Sequence, residues 1–176
     1  MKVLRWVLVF LIVSSIACKS KDNKGNATKF DSQTKEALER VNRVLIKEDR
    51  EQIESFIKRN KLEGITESPT GLFYLILGDA DGIPVKSGYL VEYSYKVTLL
   101  DGTLCYQSKT DSLGTFVVGR GGVEAGLEEG ILLMKEGQKA KFIMPPHLAH
   151  GLIGDANRIP ARAIIVYDIE LLRVNP

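Results

Sequence analysis

Hydrophobic positions change their spacing several times along the chain, and each change predicts an element. Trp6 to Val13 is an unbroken apolar run. From about Ser32, Leu38, Val41 and Leu45 recur at i, i+3 and i+7 with Val44 beside them, and Ile53, Phe56 and Ile57 resume the stripe after a polar gap around Lys47. That period predicts two helices, or one bent helix. Asp49 with Gln52 three residues on reads as the N-cap of a second helix, and Asn60 as its stop. The charged residues between the apolar ones form a solvated face. After the turn cluster Ser68-Pro69-Thr70-Gly71 the spacing falls to two. Leu72 to Leu77 reads as a short strand. Tyr89 to Leu100 reads as a long one, with Val91, Tyr93, Tyr95, Val97 and Leu99 on one face. Asp101-Gly102 is a hairpin turn, with Thr103 to Ser108 as the returning strand. Thr115 to Val118, Lys139 to Met144 and Ile164 to Arg173 are further strands.

One stretch breaks the strand pattern. In Val123 to Gly137, Leu127, Ile131 and Met134 stand at i, i+4 and i+7, which puts them on one helical face. Gly126 and Gly130 each weaken such a helix by about 1 kcal/mol against Ala. Two glycines four apart therefore imply that another segment packs close to the helix backbone. A short apolar helix inside a run of antiparallel strands is an α+β arrangement: a curled sheet wrapped over one helix, with a helical segment ahead of it.

Composition changes little in this picture. The formal net charge is +2 over 176 residues, which gives no reason to expect a polyanion such as nucleic acid as partner. The N-terminus changes more. Lys2 and Arg5 precede the apolar run and small residues follow it, the order of an export signal. The run falls short of the ~20 residues a membrane-spanning helix needs. Ser15-Ile16-Ala17-Cys18 resembles a bacterial lipobox, which makes Cys18 the expected lipidation site and leaves Cys105 as a lone thiol. The expected organisation is a signal peptide over 1–17, a flexible tether over 18–30, a helical preface over 31–63 and the folded domain over 64–176, with its core in 83–174.

Metal, thiol and phosphate chemistry find little support. His147 and His150 stand three apart with no third ligand cluster beside them, so no metal is expected. Cys105 has no electropositive neighbour in sequence and reads as a buried apolar residue. Glu128 and Glu129 are consecutive on a helix and point about 100° apart, which disfavours a shared acid site. The Gly119–Gly122 cluster lacks the Lys-Ser/Thr of a phosphate loop.

Taken in order, the residues resemble a family. Tyr95 with Leu99-x-Asp101-Gly102-Thr103, then Gly119 to Val123, then Gly126-x-Glu128-Glu129-Gly130-x-x-x-Met134-x-x-Gly137 lead the series. Pro146-x-x-x-x-Gly151, Gly154, Ile159-Pro160 and Tyr167-Asp168-x-Glu170-Leu171-Leu172 complete it. The stretch from Ile83 to Val174 is similar to the FKBP-type peptidyl-prolyl cis-trans isomerases. The signal and helical preface make the layout most like the lipoprotein members associated with gliding motility. The resemblance implies a pocket between helix and sheet that takes a proline ring and needs no cofactor. Tyr95 would form a wall, Val123 the helix entry, Leu127 the floor, Ile159 a loop contact and Tyr167 the far side. The backbone N–H of Glu124 would donate to a ligand carbonyl. Proline-containing segments of exported proteins would be the partners, and the setting would be the bacterial envelope, lipid-anchored at the periplasmic face of the outer membrane.

Several positions depart from the family's pattern. Cys105-Tyr106 stands where Phe-Asp is usual, which removes an aromatic wall and a carboxylate. His150 takes the place of a Tyr, Leu127 that of a common Trp, and the loop before Thr115 lacks a Phe. Cys105, Tyr106 and His150 are thus both candidate site residues and grounds for reduced activity. Two functions follow: an active prolyl isomerase, or an FKBP-like module that has lost catalysis and serves as a binding domain or scaffold in a membrane-associated assembly.

Overall fold

The computed structural model describes residues 24–78, 81–109 and 111–176. The expected signal peptide and Cys18, the expected lipidation site, lie outside them. Among the described residues no helix is long and apolar enough to cross a membrane. The chain divides into two compact units, Met1–Asn42 and Arg43–Pro176.

Helix α1 runs through Lys24–Arg59 without a break. It starts upstream of the periodic region, so part of the expected tether is helical, and the expected second N-cap does not exist. Asp49 sits inside α1 and is buried; its Oδ1 accepts from Arg162 Nη2 at 2.9 Å. The acid that looked like a local cap has a partner 113 residues away, which sequence spacing could not reveal. The helix ends where Asn60 donates backbone N–H and Nδ2 to the Phe56 carbonyl, and Lys61 turns to φ 53°. Leu38, Val41 and Val44 of the predicted stripe are exposed, whereas Ile53 is fully buried.

In the larger unit the strands are β1 (Thr66–Glu67), β2 (Phe73–Leu77), β3 (Leu90–Leu99), β4 (Leu104–Gln107), β5 (Gly114–Val117), β6 (Lys139–Met144) and β7 (Ile165–Asn175). All pair antiparallel, in the order β1-β2-β6-β7-β3-β4, with β5 also on β3. β4 pairs with Lys96–Thr98 and β5 with Leu90–Tyr93, so the two share one edge of β3 and leave a gap at Ser94–Tyr95. Ser108 fills it. Its Oγ accepts from Tyr95 N–H at 2.9 Å, and its own N–H donates to the Tyr95 carbonyl at 2.9 Å.

The short helix α2 (Ala125–Ile131) lies against one face of the sheet and buries Gly126, Leu127, Gly130 and Ile131. A β-carbon at Gly130 would stand 2.7 Å from the Phe142 ring, which is the close approach that the paired glycines imply. On the other face Ile53 packs with Phe73, Ile143, Ile164 and Val166. β6 and β7 are therefore covered on both sides, and Phe142-Ile143-Met144 is buried residue after residue. Full burial of a side chain such as Ile53 or Phe142 is worth about 1.5–3 kcal/mol. The alternation in β7, Tyr167-Ile169-Leu171, slips at Leu172, where the β3 register shifts, and resumes at Val174.

Candidate active site

At the mouth of the wrap, beside the β4–β5 gap, the larger unit holds a cavity of about 600 Å³. Strand β3 supplies Tyr93 and Tyr95, whose two-residue spacing puts both rings on the helix-facing side. β4 supplies Tyr106, the start of β5 Gly114 and Thr115, and β7 Tyr167. The turn into α2 brings Gly122, Val123 and Glu124, and the long β6–β7 connection brings Ala149, His150 and Asp155. The rings form a chain: Tyr95 to Tyr167 at 6.1 Å between centroids, Tyr93 to Tyr95 at 5.7 Å, and Tyr93 edge-on to Phe116 at 5.8 Å.

Tyr93 explains how an aromatic wall survives the loss of a loop Phe. Gly114 is its directly opposed partner on β5, and a β-carbon there would lie 2.4 Å from Tyr93 Cζ. The glycine leaves room for the tyrosine ring to lie across it, so the wall comes from β3.

Glu124 brings a carboxylate into the cavity. Its Oε1 accepts from the Tyr167 hydroxyl at 3.1 Å and lies 3.0 Å from His150 Nε2. The Tyr167 and Tyr93 phenols are both pushed well above their ordinary value, first by burial and then by the Glu124 charge. They stay protonated donors throughout the physiological range. Glu124 has extended backbone (φ −62°, ψ 142°), and its carbonyl accepts from Leu127 and Glu128 as α2 begins.

A second carboxylate comes from Asp155. The Tyr106 hydroxyl donates to its Oδ2, and its Oδ1 accepts from Ile159 N–H at 2.8 Å and Asn157 N–H at 2.9 Å. The Tyr106 bond, followed by those backbone donors and the nearby His150, lowers its carboxyl to about 2. The carboxylate missing from β4 is thus replaced by one from the long loop, held by the tyrosine that took its place. Arg158 covers the Tyr106 ring at 5.5 Å and donates to the Cys105 carbonyl at 2.9 Å.

Of the sequence-predicted residues, Tyr95, Tyr106, Val123, Glu124, His150 and Tyr167 meet at this cavity. Cys105, Leu127 and Ile159 do not line it; all three are buried in the core. Cys105 Sγ points at the carbonyls of Thr103 and Arg158, at 3.9 and 3.6 Å, so this side chain backs the wall without forming it. Sequence reasoning missed Tyr93 and Asp155, and it placed only the backbone of Glu124 at the site. The alternation on β3 was the available signal for Tyr93. Glu128 and Glu129 do point apart: Glu128 accepts from Gly119 and Gly121 N–H at 3.2 and 2.9 Å, and Glu129 from the Thr70 hydroxyl at 2.6 Å. His147 Nε2 is 2.9 Å from the Thr70 carbonyl oxygen, away from His150 and Glu124.

A sheet curled over one helix, with an aromatic cavity at the helix entry, defines a class, and comparison with known proteins agrees. Residues 82–172 match the profile of the FKBP-type peptidyl-prolyl cis-trans isomerases. The chain is 30% identical over 165 residues to an isomerase of that type, FkpA of Buchnera aphidicola, covering 92% of this chain and 60% of that protein. It therefore spans less than two thirds of that relative. It is 40% identical over 100 residues to FK506-binding protein 1A of Emericella nidulans, covering 56% of this chain and 91% of the relative. Among solved structures, FkpA from Escherichia coli superposes with a TM-score of 0.65 at 28% identity, covering 99% of this chain and 81% of that one. The chain belongs to the FKBP-type peptidyl-prolyl cis-trans isomerase family.

Proposed function

We propose that the chain itself catalyses cis–trans isomerisation of Xaa–Pro bonds, and that the tyrosine-lined cavity is where it does so. An Xaa–Pro amide rotates over a barrier of roughly 18–20 kcal/mol because twisting removes its resonance. The twisted amide has lost charge separation, so a low-polarity cavity disfavours the planar ground state more than the transition state. The rings of Tyr95, Tyr93 and Tyr167 supply that low-polarity surface as one wall of the cavity, with Glu124 and His150 beside it. The resemblance assigns the Glu124 N–H to a substrate carbonyl, and Glu124 stands at the cavity as that role requires. His150 Nε2 and the Tyr106 and Tyr167 hydroxyls supply further polar groups.

The observation that carries this reading is the retained aromatic wall, with Tyr93 over Gly114 in place of a loop ring. Exchange of a Xaa–Pro tetrapeptide, followed by NMR with the purified protein at micromolar concentration, tests it directly. No acceleration by a folded sample would leave the second reading, a binding module without turnover. The Glu124 carboxylate inside the cavity favours that alternative.

The apolar run before Cys18 supports export, and the lipobox-like sequence supports a lipid anchor there. With these the reading extends to proline-containing segments of exported proteins as substrates, at the periplasmic face of a bacterial outer membrane. The order of signal, helical preface and isomerase domain fits the lipoproteins associated with gliding motility. Cys18→Ser is expected to release the protein from the membrane fraction; retention there would remove the anchor from the account.

A further inference from the structure

We propose that Glu124 makes this site selective for prolines flanked by a cationic side chain, Lys or Arg; the inference rests on the isomerase reading above. Glu124 is set inside the cavity with a side chain only 15% exposed. Both of its contacts, with Tyr167 and His150, fall on Oε1. Among the described residues Oε2 has no partner, and no buried side-chain oxygen is left unpartnered, so Oε2 stays open to the cavity's solvent.

A substrate that enters expels that solvent. The proline ring is neutral and its tertiary amide has no N–H, so proline cannot satisfy the oxygen it covers. An ionised carboxylate deprived of water without a partner is costly. The flanking residues are what remain to offset that cost, and a cation does so best.

The walls favour the same choice. Tyr93, Tyr95 and Tyr167 present rings that attract cations, and among the described residues no Lys or Arg lines the cavity. Arg158, the cation beside it, is committed to the Cys105 carbonyl and the Tyr106 ring. His150 Nε2 meets Glu124 at Oε1, 3.0 Å away, and leaves Oε2 to the cavity. Asp155 plays no comparable part, because its oxygens are already bonded by Tyr106, Asn157 and Ile159.

The test is kcat/KM for two peptide series on the purified protein, Ala-Xaa-Pro-Phe and Ala-Ala-Pro-Xaa, with Xaa as Lys, Leu or Glu. The expected result is Lys above Leu by about tenfold in at least one series, the ratio that corresponds to ~1.4 kcal/mol, with Glu lowest. Glu124→Gln, which keeps the acceptor and removes the charge, should bring the Lys-to-Leu ratio close to one. Near 1 M salt, where the screening length falls to about 3 Å, the ratio should shrink in the unmodified protein as well, a reading that does not depend on the variant's folding. Leu equal to or above Lys in both series, or a Lys preference that persists undiminished in a folded Glu124→Gln, would overturn the inference. If no peptide is turned over, the isomerase reading fails by itself; peptide affinities then decide the inference, with Lys tighter than Leu supporting it and the reverse order overturning it.

Discussion

Replacing Gly130 with Ala sets two effects of opposite sign against each other. On helix propensity alone, Gly→Ala within α2 stabilises by about 1 kcal/mol. The structure opposes that gain, because the new β-carbon would lie 2.7 Å from two ring carbons of Phe142 and 2.9 Å from a third. Ordinary carbon–carbon contact is about 3.5–4.0 Å, so the ring or the helix must give by roughly 0.8 Å. Phe142 cannot easily yield. It is fully buried, and its strand is paired on both sides, with Tyr74 of β2 and Tyr167 of β7 opposite it. Overpacking of this kind costs about 1–3 kcal/mol, and the conflict here lies at the upper part of that range. The expected net effect is a loss of about 1–2 kcal/mol. Gly126→Ala is the internal comparison. Its β-carbon would meet Met144 Sδ at 2.9 Å and Leu148 Cβ at 3.2 Å; Met144 is also fully buried, but a thioether on three rotatable bonds adjusts more readily than a ring. That variant should stay within about 0.5 kcal/mol of the parent, since the small strain offsets the propensity gain. Urea unfolding followed by circular dichroism reads both. With a slope of about 2 kcal/mol/M, mid-range for urea, Gly130→Ala should lower the midpoint by roughly 0.5–1 M. A midpoint raised by Gly130→Ala would refute the reasoning, because the Phe142 contact would then be too loose to control the helix position.

Further expectations concern the cavity and its supports. Gly114→Ala should displace the Tyr93 ring, whose Cζ lies 2.4 Å from the new β-carbon, and lower prolyl turnover severalfold while the fold persists; unchanged kinetics would remove Tyr93 from the wall. Asp155, held at about 2 against an ordinary 3.8, binds fewer protons folded than unfolded between those values. Its contribution to the loop is therefore complete above pH ~4 and lost as pH falls toward 2. In Tyr106→Phe the Asp155 carboxyl, followed by carbon-13 NMR, should titrate closer to its ordinary value, since the largest cause of the shift is gone. Cys105 is fully buried, and its thiol is raised first by burial and then by the Asp155 charge. It should react with a thiol reagent far more slowly in native protein than in urea, and equal rates would contradict its placement.

Much of the fold could be read from local spacing and turn residues. β3 alternates cleanly, and the β6 boundaries match the predicted strand residue for residue. The short helix declared its close packing through Gly126 and Gly130. Legibility failed where the deciding partner was remote. Asp49 carries the local signature of a cap, yet Arg162 holds it inside an uninterrupted helix. The family's pattern drew attention to Cys105-Tyr106 as losses, but compensation came from elsewhere in the chain. Tyr93 replaced a ring because Gly114 yielded the space, and Asp155 supplied a carboxylate through Tyr106. Neither pairing has a spacing that sequence alone could mark. Glu124 was legible only as a backbone donor; that its side chain turns inward depends on Tyr167 and His150, 43 and 26 residues downstream.

The central claim is that the tyrosine-lined cavity twists prolyl amides. Its most direct test is the cis–trans exchange rate of a Xaa–Pro tetrapeptide with the parent protein, Tyr95→Ala and Tyr167→Leu, and with Lys96→Ala, an exposed strand position outside the cavity, as reference. The account predicts clear acceleration by the parent and the Lys96 variant, with a loss of about tenfold or more, ~1.4 kcal/mol in the barrier, for each cavity variant. A folded parent that accelerates nothing, or cavity variants as active as the Lys96 variant, would contradict it.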